Sequence, residues 1–334
     1  MPYTVWGAFD KFRKDTVDLD PNVTKVARAS RDYLFAQLKT LAQNNSDFPR
    51  LGGSYLSFGS FARKTKIQPL DDIDVLVLLN GRGTEVVASP NSSFTDWLKI
   101  KDLSAPLAIF PDGYGYVNST KILNRIKSYL SSVTNYKNAE IKKTMQAVTL
   151  SLKSYDWVFD IVPAVPVDGG AGKTAHYIIP DGIGNWIRTD PRIDSEQITE
   201  VNSEHNGKFL PLIRLLKYWN RRTHKPRLSS YYFETLAIKV FQSANKITDF
   251  PSAIKYFFDN CPLQIRFSCP DPKGLGPALD ASVDQATKEK VINSMYEAST
   301  FAGYALMYEA KSNHEDAIYW WQRIFGSEFP EYGS

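Results

Sequence analysis

Two carboxylates sit at the mouth of an otherwise apolar strand in the run GSFARKTKIQPLDDIDVLVLL, and this constrains the chain more than any other stretch. Side chains alternate faces along a strand, so Asp72 and Asp74 point the same way. Asp71 has the opposite parity. Ile73, Val75, Val77 and Leu79 take the other face, and Leu76 and Leu78 extend the apolar run, as in a buried strand. Two like charges at one end of such a strand need a cation or a shared proton. Magnesium answers that need, because it favours carboxylate oxygens together with phosphate oxygens of a substrate. Twelve positions before Asp72, Gly59-Ser60 opens one or two turns of helix whose N–H groups make a phosphate seat. Asp-x-Asp alone fits a turn and strand entry, and Gly-Ser alone an ordinary cap. The combination at this spacing favours a nucleotide site.

A third acid lies further on. Asp160 stands between Phe159 and Ile161 in YDWVFDIV, a lone charge inside an apolar strand that is costly unless neutralised. The strand predicted over Tyr155–Val162 pairs as a hairpin with one predicted over Ile141–Leu152, and Asp156 is read as surface. A long helix is expected from Pro21 to about Leu41, preceded by an irregular arm with an amphipathic turn around Trp6, Phe9 and Phe12. GRGTEVVASPNSS reads as a turn-rich loop, with irregular chain to Asn118, and Thr120–Ser131 as a short helix. The Pro- and Gly-rich stretch 163–185 reads as a lobe boundary. Its GGAGKT resembles a phosphate-loop ending, but Val167 stands where that motif needs glycine and AHYIIP reads extended. A mobile loop is the better reading.

From Thr199 the pattern turns helical. Phe209, Leu212, Ile213, Leu216 and Trp219 share one face of Phe209–Arg222, with Arg214, Lys217 and Arg221 in a stripe on another. Lys217 is the candidate phosphate contact, since Ser229-Ser230-Tyr231 begins the next helix and offers hydroxyls and N–H groups to an anion. Further helices are expected at Tyr232–Ala244, Phe250–Asn260, Ser282–Glu309 and Glu315–Ile324, with CPDPKGLGPALD a loop.

At 334 residues the chain is long enough for two lobes. The four histidines lack metal-ligand spacing, so zinc is not expected. Cys261 and Cys269 are expected as reduced thiols. No apolar run reaches the length of a membrane span and the N-terminal stretch lacks a signal-peptide core, so a cytoplasmic protein without membrane contact is expected. A net charge of +4 suits a local phosphate pocket better than a long nucleic-acid track.

Gly-Ser, a short spacer, Asp-x-Asp and a later carboxylate resemble the polymerase-β-type nucleotidyltransferases. Within them, the chain resembles the bacterial cGAS/DncV-like (CD-NTase) family of anti-phage signalling. Four blocks carry the likeness: GSFARKTKIQPLDDIDVLV, FDIVPAVP, IIPDGIGNWIRTDP with FLPLIRLLKYWN, and AIYWWQRIFGSEFP. The first two are shared with CCA-adding and other RNA-tailing enzymes, and the last two favour the second-messenger family. The resemblance implies a bilobed α+β fold: a mixed-sheet palm with a long bridging N-terminal helix (residues 1–175) and a helical C-terminal lobe (residues 176–334). It implies a template-independent synthase making a cyclic di- or trinucleotide from nucleoside triphosphates. Gly59 and Ser60 would hold the donor triphosphate, and Asp72, Asp74 and Asp160 two magnesium ions, with manganese the alternative. Lys217 and Ser230 would steady the β- and γ-phosphates, and Tyr231 would stack on the donor base. Two metals about 3.5–4 Å apart would clamp the attacking and leaving oxygens. Asp160 would also help remove the proton of the attacking hydroxyl. A monomer is expected, needing no nucleic acid and leaving room for a regulatory partner protein. His176, Tyr177 and Arg188 are weaker candidates for the pocket. The rival readings are an RNA-tailing transferase and a non-catalytic scaffold of the same fold.

Overall fold

The chain opens with helix α1 (Val5–Phe12), prolonged by a π-helical turn at Arg13–Val17, and continues into the 24-residue helix α2 (Pro21–Asn44). Then follow β1 (Leu51–Ser57), the short α3 (Gly59–Ala62), β2 (Asp72–Leu79), β3 (Thr84–Ala88), β4 (Thr95–Ile100) and α4 (Ser119–Leu130). Next come β5 (Glu140–Lys143), β6 (Val148–Ser151), β7 (Val158–Asp168), β8 (Thr174–Pro180) and β9 (Trp186–Thr189). Among the described residues, the helices that follow are α5 (Pro191–Glu204), α6 (Phe209–Arg222), α7 (Ser230–Phe241), α8 (Phe250–Arg266), α9 (Gln285–Ala310) and α10 (His314–Phe325). This computed structural model describes every residue except 91, 172 and 223–225. The histidine at 224 and the glycine at 172 in GGAGKT therefore lie outside the described residues.

The described chain divides into two compact units. One comprises Pro21–Arg63 and Leu70–Pro191; the other comprises Met1–Asp20, Lys64–Pro69 and Arg192–Ser334. The division falls at Pro191 rather than at residue 175, and the first twenty residues and a six-residue insert belong with the C-terminal helices.

The first unit holds the strands, in the order β1-β2-β7-β8-β9-β4-β3, with β6 also paired to β7 and β5 to β6. Only the β2–β7 pair is parallel among these, which makes the sheet mixed. Ile73, Val75, Val77 and Leu79 are buried on one face of β2, while Leu76 packs on the other with Val162, Ala164 and Tyr177. Apolar surface on both faces is what a central strand requires.

Several sequence expectations are corrected here. β7 runs through Pro163 and Pro166 and β8 covers Thr174–Pro180, so this stretch supplies strands to the sheet and is not a boundary. The two prolines fall where β6 and then β2 stop pairing with it, and their missing N–H groups cost little there. β7 and β8 pair antiparallel, and the Gly169 N–H donates to the Lys173 carbonyl. The supposed loop after β2 contains the β3–β4 hairpin, whose turn residues sit between two short alternating runs. The single strand expected over Ile141–Leu152 is two, and β6 pairs with β7 as expected.

The second unit is helical. Its core gathers Leu212, Leu216, Phe233, Phe257, Met295 and Trp321, all fully buried. The arm expected to be irregular is helix α1. Its Phe9 meets Trp321 edge-on at 5.0 Å between ring centres, and Phe12 meets Tyr218 at 4.9 Å. Among the described residues, no helix is long and apolar enough to cross a membrane. Cys261 and Cys269 are buried free thiols, and burial pushes the Cys261 thiol well above its ordinary value.

Candidate active site

Three neighbouring strands bring one row of side chains level. Asp74 of β2 is the register partner of Asp160 of β7, and Asp160 is the register partner of Thr149 of β6. Directly paired residues project from the same face of a sheet, so the three side chains stand side by side. Thr149 Oγ1 donates to Asp160 Oδ1 at 2.8 Å, fixing the orientation of that carboxylate. Asp72 lies one pleat back, opposite Val158, on the same face as Asp74. All three aspartates are half-buried, whereas Asp71 and Asp156 are exposed. Asp160 is thus neither remote from the first two acids nor behind the sheet.

Gly59 closes against this row. Its φ of +71° is in the left-handed region, and a Cβ built there would lie 1.7 Å from Asp74 Oδ2. Glycine is required both by the backbone conformation and by the approach to the carboxylate. The Gly-Ser corner is therefore packed onto the acid row, with Gly59 beginning the turn α3 and half-buried Ser60 following it.

Three carboxylates on one face are the oxygen ligands that a hard divalent cation takes. Among the described residues, no group of three or more His, Cys, Asp or Glu side chains is close enough together to hold a metal ion.

In the helical unit, Lys217 is not on a solvated stripe. It is 6% exposed, and its Nζ donates to Glu234 Oε1 at 2.5 Å. Its companions are engaged as well, Arg214 with Asp18 at 2.7 Å and Arg221 with the Gln68 carbonyl. Ser230 is exposed at the first turn of α7, whose cap is Ser229, accepting from the Tyr232 N–H. Tyr231 is half-buried, and its hydroxyl donates to Asp194 Oδ1 at 2.6 Å and accepts from Lys273.

No family model matches the sequence. A probable cyclic nucleotide synthase of Bacillus cereus (strain VD146) is 39% identical over 339 residues, covering 99% of both chains. The chain belongs to the cGAS/DncV-like nucleotidyltransferase family. A cyclic AMP-AMP-AMP synthase of an Acinetobacter species is 22% identical over 95% of this chain and 84% of its own length. Escherichia coli CdnC with ATP matches at a TM-score of 0.71 and 19% identity, over 98% of this chain and all of that one. Vibrio cholerae DncV, a cyclic AMP-GMP synthase, matches at 0.67 and 10% identity, over 99% and 98%. These two share the mixed α+β fold with its helical C-terminal region.

As a CD-NTase, the protein is a nucleotidyltransferase. Sequence reasoning missed Thr149 and Glu234. Thr149 was legible in principle, since the β6–β7 hairpin places some residue opposite Asp160, but the register needed the turn's length. Glu234 comes from a different helix than Lys217 and left no local signal. Arg188, a weak pocket candidate, instead grips Asp96 with Nε and Nη2 at 2.6 Å each. Asp96 is fully buried, and its hydrogen bonds hold the Arg188 guanidinium above its ordinary value. That pair joins β4 to β9.

Proposed function

We propose that this CD-NTase joins nucleoside triphosphates, without template, into a cyclic di- or trinucleotide, with ATP the first substrate to test. The level placement of Asp74, Asp160 and Thr149 carries this reading. A ribose hydroxyl of the acceptor attacks the α-phosphate of the donor, a new P–O bond forms, and pyrophosphate leaves. Asp160, oriented by Thr149, takes the hydroxyl's proton. Gly59 lets backbone approach Asp74 closely, and with Ser60 it receives the donor triphosphate. Lys217 and Ser230 are assigned to the outer phosphates and Tyr231 to the donor base, all three by the family resemblance. A divalent ion pair held by Asp72, Asp74 and Asp160, magnesium before manganese, would offset charge on the attacking and leaving oxygens. A second transfer within the linear product closes the ring.

Two kinds of relative support cyclic products: the probable cyclic nucleotide synthase and the cyclic AMP-AMP-AMP synthases. The setting we infer is anti-phage signalling. Escherichia coli CdnC has been solved with a HORMA protein, and a protein regulator is proposed here too. The test is incubation with magnesium and the four nucleotides in the absence of RNA. A phosphatase-resistant cyclic product by mass spectrometry, absent for Asp160→Asn, is expected. Label found solely on added RNA would return the enzyme to the tailing class.

A further inference from the structure

Lys217 and Glu234 form a buried ion pair that stability alone does not explain. Glu234 is 2% exposed and Lys217 6%, among the apolar side chains of α6 and α7. Burying two charges is costly, and well-packed hydrophobic residues of similar volume commonly serve stability as well or better. The same carboxylate oxygen also accepts from Thr65 Oγ1 at 3.1 Å, and Thr65 is fully buried in the Lys64–Pro69 insert. Two donors from separate segments of the helical unit therefore converge on Glu234 Oε1.

The helix geometry says what this convergence is for. Ser230 and Glu234 are four residues apart on α7 and share a face. Helical side chains lean towards the N-terminus, so the Glu234 carboxylate reaches back towards the turn that bears the exposed Ser230 hydroxyl. The Lys217 ammonium, 2.5 Å from that carboxylate, is carried with it. An ammonium has three donors, and a carboxylate that fixes one of them fixes the directions of the others. We infer that Glu234 is a positioning residue, which with Thr65 holds the Lys217 ammonium beside Ser230 so that both meet the phosphates of a nucleoside triphosphate. This rests on the assignment of Lys217 and Ser230 to phosphate.

The test compares Glu234→Gln, Lys217→Met and the double variant by steady-state kinetics, calorimetric ATP binding with magnesium, and thermal melting. Gln keeps the shape and removes the charge. The expected result for Glu234→Gln is a KM for ATP raised about tenfold, with kcat changed less than about threefold. The double variant should bind ATP no worse than Lys217→Met alone, because Glu234 acts through the lysine. A KM within about twofold of wild type for Glu234→Gln, or losses that multiply in the double variant, overturns the inference. Where Glu234→Gln fails to fold, Thr65→Val decides: weakened ATP binding supports the assignment and unchanged binding ends it. Weaker ATP binding in these variants, alongside a wild type that makes no cyclic product, would fell the synthase reading and leave Glu234's role standing.

Discussion

A single methyl group separates Gly59 from alanine, and there is no room for it. The added carbon would stand 1.7 Å from Asp74 Oδ2, and the φ of +71° adds backbone strain. Since the clash falls on the carboxylate itself, Gly59→Ala should displace Asp74 and lower product formation at least about a hundredfold, for a stability loss of about 1–2 kcal/mol. Near-normal turnover in Gly59→Ala would mean that the Gly-Ser corner is not part of the site. The acids behave oppositely. Asp74→Asn or Asp160→Asn should abolish product while the melting temperature in metal-free buffer stays level or rises, because like charges side by side repel. A large fall in melting temperature with activity retained would identify these aspartates as structural. These residues were legible because strand alternation and an isolated acid in an apolar run are local signals. The direct pairing of Asp74 with Asp160 was not, since register between distant strands is set by the whole sheet.

At the scale of elements, the long loop between α8 and α9 read from sequence as a loop and no more. It is tethered by Asp280, which accepts from the Cys269 N–H at 2.8 Å and from Lys288 Nζ of α9 at 2.6 Å. Burial pushes this carboxyl up, yet the Lys288 ammonium and the Cys269 N–H outweigh it and hold the group below its ordinary value. A folded-state value below the unfolded one gives stability that is complete above the unfolded value and lost as pH falls through the folded value. Urea unfolding of Asp280→Asn should therefore show a deficit of about 2 kcal/mol at neutral pH. That deficit should hold down to about pH 5 and shrink below about pH 4 as the wild-type carboxyl protonates. A gap that widens in acid would contradict the assignment. The same contrast explains which elements were readable. α2 and α6 carry apolar spacing over many turns, whereas the five and six residues of β3 and β4 sit among turn-formers and gain their identity from pairing with each other and with β9.

At the scale of the molecule, the sequence reading anticipated a mixed-sheet unit and a helical unit but misplaced the N-terminal segment. Trp6, Phe9 and Phe12 are spaced as an amphipathic turn, and nothing local says which distant surface the segment covers. In the structure, Phe9 lies 5.0 Å from both Trp321 and Phe329 between ring centres, and Phe12 lies 5.0 Å from Phe329. Phe12 is fully buried, so the core of the C-terminal helices is completed by the first residues of the chain. The consequence is a helical unit that cannot be cut out as 192–334 without opening its core. Phe12→Ala should cost about 3–5 kcal/mol, the loss expected for emptying a buried aromatic site. Urea denaturation followed by tryptophan fluorescence reads it, because Trp321 packs on the same aromatic cluster. A cost under about 1 kcal/mol would place the segment on the surface as a dispensable arm. A full cost makes residues far apart in the sequence partners in one helical core.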